Sequence, residues 1–482
     1  VAVSANDLPQ EYDVVVVGGG TGGYSTALRA AGLGMSVALV ERALVGGTCL
    51  HRGCIPSKAL LHAALIMEAI DDGVRRWGVK ASVDAVDTTA LAATRDEIVT
   101  KSFKGLVGHL HQERVAMFEG TARVTSARSV LVVPQEVRAA GVPVQLTARR
   151  GLVIATGSRP RELPGLASDG LRTMTSDDAT RTDQLPRSVA IVGAGAIGVE
   201  FATFYRAFGS EVTLIEVLDR VLPSEDPDVS REMARALQRK GITLLLGARI
   251  SDATVTDRGV VTTITGSSGT RTLTTELVLT AAGRSPVSDD LGLEKIGVRL
   301  DRGFVVPADW DRLETHVPGV HVVGDLLPPP SLALAHASFA EGLLVAETLA
   351  GRAVAPIEYP GVARATYSLP EAASVGLSEP DARARGIDVV VNRFPLTGVA
   401  KGLIYGQGGM VKVVAEKGGP VLGIHLVGPH VTDLIAEAML ITNWAALPVE
   451  VAELVHPHPS LSEALGEALL TLAGRRLHQL AS

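Results

Sequence analysis

Asp13-Val14-Val15-Val16-Val17-Gly18-Gly19-Gly20-Thr21-Gly22-Gly23-Tyr24-Ser25-Thr26-Ala27-Leu28-Arg29-Ala30-Ala31 decides the fold. The β-branched run Val14–Val17 is too short for a typical helix and suits a strand buried on both faces. Gly18, Gly20 and Gly23 follow as G-x-G-x-x-G, and Tyr24–Ala31 reads as helix. Ser36–Val40 forms the next strand and ends at Glu41, 23 positions after Gly18. Glycines so spaced permit a tight turn, close approach of backbone to a pyrophosphate, and close packing of helix on sheet. The acid at the second strand end accepts hydrogen bonds from a ribose. A lone glycine turn is often only a turn, and a solvated strand-end acid is the lesser alternative for Glu41. Strand, turn, helix and acid together predict a dinucleotide-binding unit.

The unit recurs. Val189-Ala190-Ile191-Val192 is a strand, Gly193, Gly195 and Gly198 form the turn, Val199–Phe208 is helix, and Val212–Ile215 leads to Glu216. Glu216 again follows the first glycine by 23 positions. Two such units imply two dinucleotides. The second closes near Gly283 and Arg284, after the run Leu277–Thr280. Val320–Val323 is another short strand, ending at Gly324-Asp325, which taken alone reads as a turn. Three prolines at 328–330 and an alanine-rich helix near 333–350 follow.

Elsewhere, 59–118 alternates helical stretches with polar connections, Phe118–Val124 reads as one strand, and Val130–Thr147 as a small antiparallel excursion. From about Tyr359 strands alternate with glycine turns, and helices follow at 431–446 and 460–475. The expected architecture is α/β: two Rossmann-like dinucleotide-binding domains plus a C-terminal α+β domain. The expected boundaries are 1–186 for the first domain, 187–286 for the second, 287–358 for a return to the first, and 359–482 for the third.

A chain of 482 residues with 46% hydrophobic content has ample material for such cores. Lysine and arginine number 45 against 52 acids, a net charge of −7 spread without long blocks of one sign, which argues against a nucleic-acid surface. No uninterrupted apolar run reaches membrane-spanning length, and Val1–Glu11 is a polar lead without a basic and apolar signal. A cytoplasmic location without a membrane partner is therefore expected.

Gly46-Gly47-Thr48-Cys49-Leu50-His51-Arg52-Gly53-Cys54-Ile55-Pro56-Ser57-Lys58 contains both cysteines of the chain. A long chain that keeps one close thiol pair is using it rather than stapling itself with it. Positions five apart in a helix are separated by roughly 7.5 Å along the axis, whereas a disulfide wants Cα atoms about 4.4–6.8 Å apart. The segment must therefore curl before its helix starts, and Gly53 gives it that freedom. Pro56 suits a first helical turn, and Cys54 would lie at a helix N-terminus, where the helix field favours thiolate. Zinc is disfavoured, since it needs about four ligands and no further cysteines exist. Inert buried thiols are the remaining alternative.

Taken together, the Gly-Gly-Thr-Cys…Gly-Cys-Ile-Pro-Ser-Lys block, the two dinucleotide units, the Gly-Asp strand end and His458-Pro459-Ser460-Leu461-Ser462-Glu463 resemble the flavoprotein disulfide reductases, from about Tyr12 onward. The resemblance implies FAD on the first unit, nicotinamide on the second, and a C-terminal interface domain forming a homodimer. It implies Cys49 as the interchange thiol and Cys54 as the thiol against the flavin. Lys58 would lie beside the flavin ring, paired with Glu200, and Asp325 would hold the ribityl chain. His458 would be the base, facing Cys49 of the other subunit, with Glu463 as its carboxylate partner. The family pattern also assigns Gly18, Gly20, Gly23, Glu41, Gly47, Thr48, Lys58, Ala122, Thr156, Gly157, Gly324, Asp325, Ala335 and His336 to FAD. It assigns Gly193, Gly195, Gly198, Glu200, Glu216 and Gly283 to NAD, and no residue to a metal.

Read from the residues alone, Ser460–Glu463 is also a capping box opening the last helix. His456 reads as a structural or rim histidine. The resemblance, not the residues, makes His458–Pro459 a candidate cis bond, since most X–Pro bonds are trans. Glu216 favours NAD, because an acid there repels the 2′-phosphate of NADP. Val217, Leu218 and Pro223 stand where NADP-using members carry arginines, although Arg220 is close by. The implied activity within the family is oxidation of a dihydrolipoyl group on the lipoyl domain of a dehydrogenase complex, with NAD as acceptor. A diaphorase or quinone reductase is the rival enzyme, and a flavin-containing redox-sensing binding protein the rival outside catalysis. His51-Arg52, Pro457, Ser460 and the prolines at 328–330 depart from the family pattern.

Overall fold

The computed structural model describes residues 10–134, 142–267 and 269–479. The expected polar lead therefore falls almost wholly outside the described residues, as does 135–141 of the expected antiparallel excursion. The chain forms two compact units that do not follow it in order. One takes the N-terminal segment to Ser57, Ala92–Pro160 and Arg284–Tyr359; the other takes Lys58–Leu91, Arg161–Gly283 and the chain from Pro360 onward.

The first unit is built on a seven-stranded sheet. Glu11–Val17 lies centrally, pairing in parallel with Val37–Glu41 on one side and Val144–Ile154 on the other. Ala116–Glu119 extends the sheet beyond Val37–Glu41, and Val320–Val322 adds to Val144–Ile154, both in parallel. The valines at 14–16 are completely buried, as expected of a central parallel strand. Register aligns Val17 with Val40 and Ile154, and Ile154 with Val322. The loops carrying Gly18, Glu41, Thr156 and Gly324 therefore leave one carboxyl edge, the side on which such sheets bind ligands. The helices Thr21–Gly32 and Ala335–Leu349 pack on this sheet and on each other.

Phe118–Val124 is not one strand. It breaks at Gly120, where a side chain would meet Val133 O at 2.7 Å, and gives Ala116–Glu119 and Thr121–Ser126. The antiparallel excursion is Thr121–Ser126, Ser129–Val133 and the first half of Val144–Ile154, whose second half belongs to the parallel sheet.

The second unit holds a parallel five-stranded sheet in the order Thr243–Leu246, Glu211–Glu216, Ser188–Val192, Leu277–Thr280, Thr173–Thr175. A three-stranded antiparallel sheet from Ala248–Thr256, Gly259–Gly266 and Gly269–Thr275 adjoins it. A separate antiparallel five-stranded sheet follows Pro360, in the order Arg364–Thr366, Glu371–Gly376, Val421–Gly428, Met410–Glu416, Val389–Pro395. The helices Val431–Asn443 and Ser462–Leu472 cover it, each slightly shorter than sequence pattern indicates.

Two helices hold the cysteine segment. Gly47–Arg52 is a short helix ended by Gly53, and Cys54–Arg76 starts immediately after it. The stretch Gly47–Arg76 is long and apolar enough to cross a membrane by length and composition alone. Its Leu60, Leu61 and Ala64 are buried in a hydrophobic core.

Candidate functional site

In the first unit the glycine turn has the shape of a phosphate cradle. A methyl on Gly23 would meet Gly18 O at 1.8 Å, and one on Gly18 would meet Ala155 O at 2.3 Å. One on Gly20 would meet nothing within 4 Å. The outer glycines are required by packing, whereas Gly20 faces open space, where a pyrophosphate can approach the helix N-terminus. Glu41 is oriented by Gly19 N–H at 2.7 Å and Ala43 N–H at 2.8 Å. Each carboxylate oxygen keeps a further lone pair for a ribose hydroxyl.

The cysteine helix is set directly on that cradle. Gly46 N–H donates to Gly19 O at 2.7 Å, and a methyl on Gly47 would meet Gly20 Cα at 2.7 Å. Thr48 and Cys49 follow in the same short helix; Cys54 opens the next one, and both cysteines are half-buried. Tyr24, on the helix after the glycine turn, feels both thiols. Burial first, and then the charge of Cys49 and Cys54, push its phenol up to about 12. His51 is engaged within its own unit: its Nε2 lies 2.8 Å from Val45 O and its ring packs edge-on to Phe103.

Asp325 projects from the turn after Val320–Val322. Ser158 Oγ donates to it at 2.5 Å, and Arg284 binds Ser158 Oγ at 2.7 Å and Ser158 O at 2.9 Å. The Arg284 Nε also lies 4.0 Å from the Asp325 carboxylate. Thr156 donates to Val287 O at 2.5 Å, and Gly157 has φ +69°, so both strand-end residues are fixed by the backbone around them. Ala122 lies buried in Thr121–Ser126, while Ala335 and His336 begin the helix Ala335–Leu349. The first unit thus supplies a glycine cradle, two oriented acids and a close thiol pair, and the cradle fits the pyrophosphate of a dinucleotide.

In the second unit the same geometry recurs at the repeated motif. A methyl on Gly198 would meet Gly193 O at 1.8 Å, and one on Gly195 would meet nothing within 4 Å. Glu216 accepts Ala194 N–H at 2.7 Å and Leu218 N–H at 2.9 Å, matching Glu41 bond for bond. Val217 and Leu218 are exposed, and Arg220 is turned onto Pro223 O at 2.8 Å. Gly283 has φ +98°, and its carbonyl accepts Arg161 N–H at 3.0 Å. Lys58 and Glu200 form a two-pronged ion pair at 3.0 and 2.9 Å. Glu200, only 6% exposed, also accepts Tyr367 N–H at 2.9 Å, and the ammonium sits 4.8 Å from the Tyr367 ring centre. Lys58 is one helical turn beyond Cys54.

His458 and Glu463 form a dyad, Nδ1 to Oε1 at 2.7 Å, across a cis His458–Pro459 bond. Glu463 has both roles read from sequence, since its Oε2 accepts Ser460 N–H at 2.8 Å while its own N–H donates to Ser460 Oγ at 3.3 Å. Burial pushes its carboxyl up, but the Ser460 and His458 bonds outweigh this and hold it below the ordinary carboxylate value. The His458 side chain is 71% exposed, with Nε2 left to face a substrate. His456 instead is held by Glu437 at 2.7 Å, with a side chain 12% exposed. An exposed imidazole backed by a carboxylate is an oriented proton acceptor.

Sequence reading missed Tyr24, Ser158, Arg284, Glu341 and Tyr367. Tyr24 and Arg284 were within reach, since each adjoins a glycine motif. Ser158 and Tyr367 lie far along the chain from the groups they touch, and Glu341, 10 to 18 positions from its partners, sits in a helix whose pattern gives no sign of them.

Residues 12–342 match the Pyridine nucleotide-disulphide oxidoreductase family, and residues 362–469 match the Pyridine nucleotide-disulphide oxidoreductase, dimerisation domain. The chain is 40% identical to a dihydrolipoyl dehydrogenase of Bacillus subtilis, over 98% of this chain and all of that one. It is 36% identical to a dihydrolipoyl dehydrogenase of Zymomonas mobilis, again over 98% of this chain and all of that one. Among solved structures, LpdA from Mycobacterium tuberculosis superposes with a TM-score of 0.86 at 26% identity, covering 96% of this chain and 100% of that one.

Proposed function

Since the chain belongs to the pyridine nucleotide-disulphide oxidoreductase family, we propose that it is a homodimeric, NAD-dependent dihydrolipoyl dehydrogenase acting on lipoyl groups carried by a partner protein. The observation that carries the catalytic reading is the His458–Glu463 dyad, with its free imidazole edge, in a chain whose only two cysteines form a close pair on a dinucleotide cradle. A flavin oxidoreductase of one-step hydride transfer needs neither an oriented base nor two thiols. Dithiol exchange needs both.

In this reading the resting pair is a Cys49–Cys54 disulfide. His458 takes the proton of one lipoyl thiol, and the resulting thiolate attacks Cys49 Sγ. A mixed disulfide forms, the Cys49–Cys54 bond breaks, and Cys54 leaves as thiolate. The second lipoyl thiol then attacks the substrate sulfur bound to Cys49, which closes the lipoyl ring and leaves two reduced cysteines. Glu463 holds the imidazole and stabilises its cation through these proton transfers. The first unit would hold FAD through Gly18, Gly20, Gly23, Glu41 and Asp325, and the second would hold NAD through Gly193, Gly195, Gly198 and Glu216. When bound there, FAD would supply the two-electron chemistry that links the dithiol to NAD. His458 of one protomer serves the cysteines of its partner, so one centre draws on two chains. A working dithiol suits a reducing compartment, and we place the protein in the cytoplasm.

Steady-state reduction of NAD and NADP by dihydrolipoamide, comparing the intact protein with Cys49→Ser and His458→Ala, tests this. NAD-linked turnover that falls by about 10³ or more in Cys49→Ser and also collapses in His458→Ala supports it. A protein inert toward dihydrolipoamide whose Cys49→Ser variant still passes electrons from NADH to a quinone is a thiol-independent diaphorase, and the lipoyl reading is then wrong.

A further inference from the structure

The helix Ala335–Leu349 carries a carboxylate that neither glycine motif nor the dithiol uses. Glu341 is completely buried. Its Oε2 accepts Gly324 N–H at 2.7 Å, and its Oε1 accepts Ser331 Oγ at 2.9 Å and Tyr359 Oη at 3.0 Å. All three donors are neutral. A buried carboxylate held by neutral donors is a burden on a fold, and a hydrophobic or amide side chain is the cheaper occupant of such a place. Burial first, with nearby Asp325 in the same direction, raises its carboxyl above the ordinary value despite the three donors.

Its position gives that burden a use. Gly324 has φ +77°, a left-handed turn, and it immediately precedes Asp325. Glu341 holds the start of the loop at Gly324 and its end at Ser331, so it clasps the whole segment that contains Pro328, Pro329 and Pro330. The helix that carries it is closely packed. A methyl on Gly342 would meet Ser25 Oγ at 2.2 Å and Gly22 O at 2.7 Å, and one on Gly22 would meet Val323 Cγ2 at 2.9 Å. The phosphate-side helix Thr21–Gly32, the end of Val320–Val322 and the helix Ala335–Leu349 are thus packed without space for one carbon. Asp325 is then fixed from two sides, its backbone through Glu341 and its carboxylate through Ser158 and Arg284.

We propose that Glu341 is a positioning residue for the flavin: by its hydrogen bond to Gly324 N–H it holds the loop in the one conformation that aims Asp325 at the ribityl hydroxyls. The proposal rests on the reading of Asp325 as the ribityl acid. It also gives the loop prolines a place, as the stiff span between the two ends that Glu341 ties together.

The test is the FAD affinity of the full-length apoprotein, followed by quenching of flavin fluorescence, in Glu341→Ala, Glu341→Gln, Asp325→Ala and the Glu341→Ala/Asp325→Ala double variant. Glu341→Ala is expected to bind FAD about tenfold more weakly, the equivalent of one hydrogen bond. Glu341→Gln is expected within about threefold of the parent, because its amide oxygen can take Gly324 N–H while its NH2 donates to the two hydroxyls. The double variant is expected to be no weaker than Asp325→Ala, since Glu341 acts through Asp325. A residue that merely stabilises the fold gives additive losses instead. The proposal is overturned if Glu341→Ala binds FAD like the parent, if Glu341→Gln loses as much as Glu341→Ala, or if the loss persists in full in the Asp325→Ala background. Should Glu341→Ala not fold, Glu341→Asp, whose carboxylate is withdrawn by one methylene, takes its place with the same expectations. If Asp325→Ala itself binds FAD normally, the reading of Asp325 has failed rather than the clasp alone.

Discussion

Glu463→Gln separates the catalytic role of Glu463 from its capping role. Glutamine serves at the third position of a capping box as well as glutamate does, so its amide oxygen keeps Ser460 N–H and the helix start is preserved. Its NH2 then faces His458 Nδ1, now 2.7 Å from Glu463 Oε1, and can only donate. The imidazole must present a lone pair at Nδ1 and keep its proton on Nε2, the nitrogen that has to receive the proton of the substrate thiol. The charge-assisted bond that stabilises the imidazolium is also lost, worth about 1.5–3 kcal/mol, or roughly 10- to 150-fold in rate. Together with the wrong tautomer, kcat for dihydrolipoamide is expected to fall by on the order of 10²–10³. The assay is NAD reduction by dihydrolipoamide from pH 6 to 9, with thermal unfolding of the same samples. Thermal stability should change by less than about 0.5 kcal/mol. If kcat holds within about threefold, or if activity and stability fall together, Glu463 is a helix cap and the dyad has no catalytic meaning.

Gly20→Ala and Gly23→Ala should separate ligand approach from packing: the first is expected to fold normally but bind FAD at least about tenfold more weakly, the second to lose 1–3 kcal/mol or more of stability (about, by overpacking); fluorescence titration and denaturant unfolding read the two effects. Lys412→Met removes an ammonium, 2% exposed, that binds Asp226 at 2.8 Å, Asp228 at 2.6 Å and Glu379 at 2.9 Å. Stranding those carboxylates should cost about 3–5 kcal/mol in urea unfolding, and Lys412→Met/Asp226→Asn should recover part of it. Glu437 raises the His456 imidazole above its ordinary value of 6.5. The stability this gives is fully present below about pH 6.5 and is lost as pH rises through the raised value. Thermal stability of the parent should therefore fall between pH 6 and 9 relative to Glu437→Gln, and parallel curves would contradict the assignment.

What the sequence determined by itself is what depends on neighbours along the chain. Gly18, Gly20, Gly23 and Glu41 lie within one strand–turn–helix–strand unit, so spacing alone specifies a cradle, and the repeat at Gly193–Glu216 specifies a second. Cys49 and Cys54 are five positions apart, and Ser460–Glu463 is a single helical turn, so the dithiol and the cap were readable in the same way. Lys58–Glu200 and His458–Glu463 needed the family resemblance as well. Tertiary structure alone decided the rest. Glu341 comes to Gly324, and Tyr367 to Glu200, because separate strands and helices bring them there. Lys412 is buried among three carboxylates from two other segments of the chain. Burial of a charge depends on everything packed around it, and local periodicity carries no trace of partners on other elements.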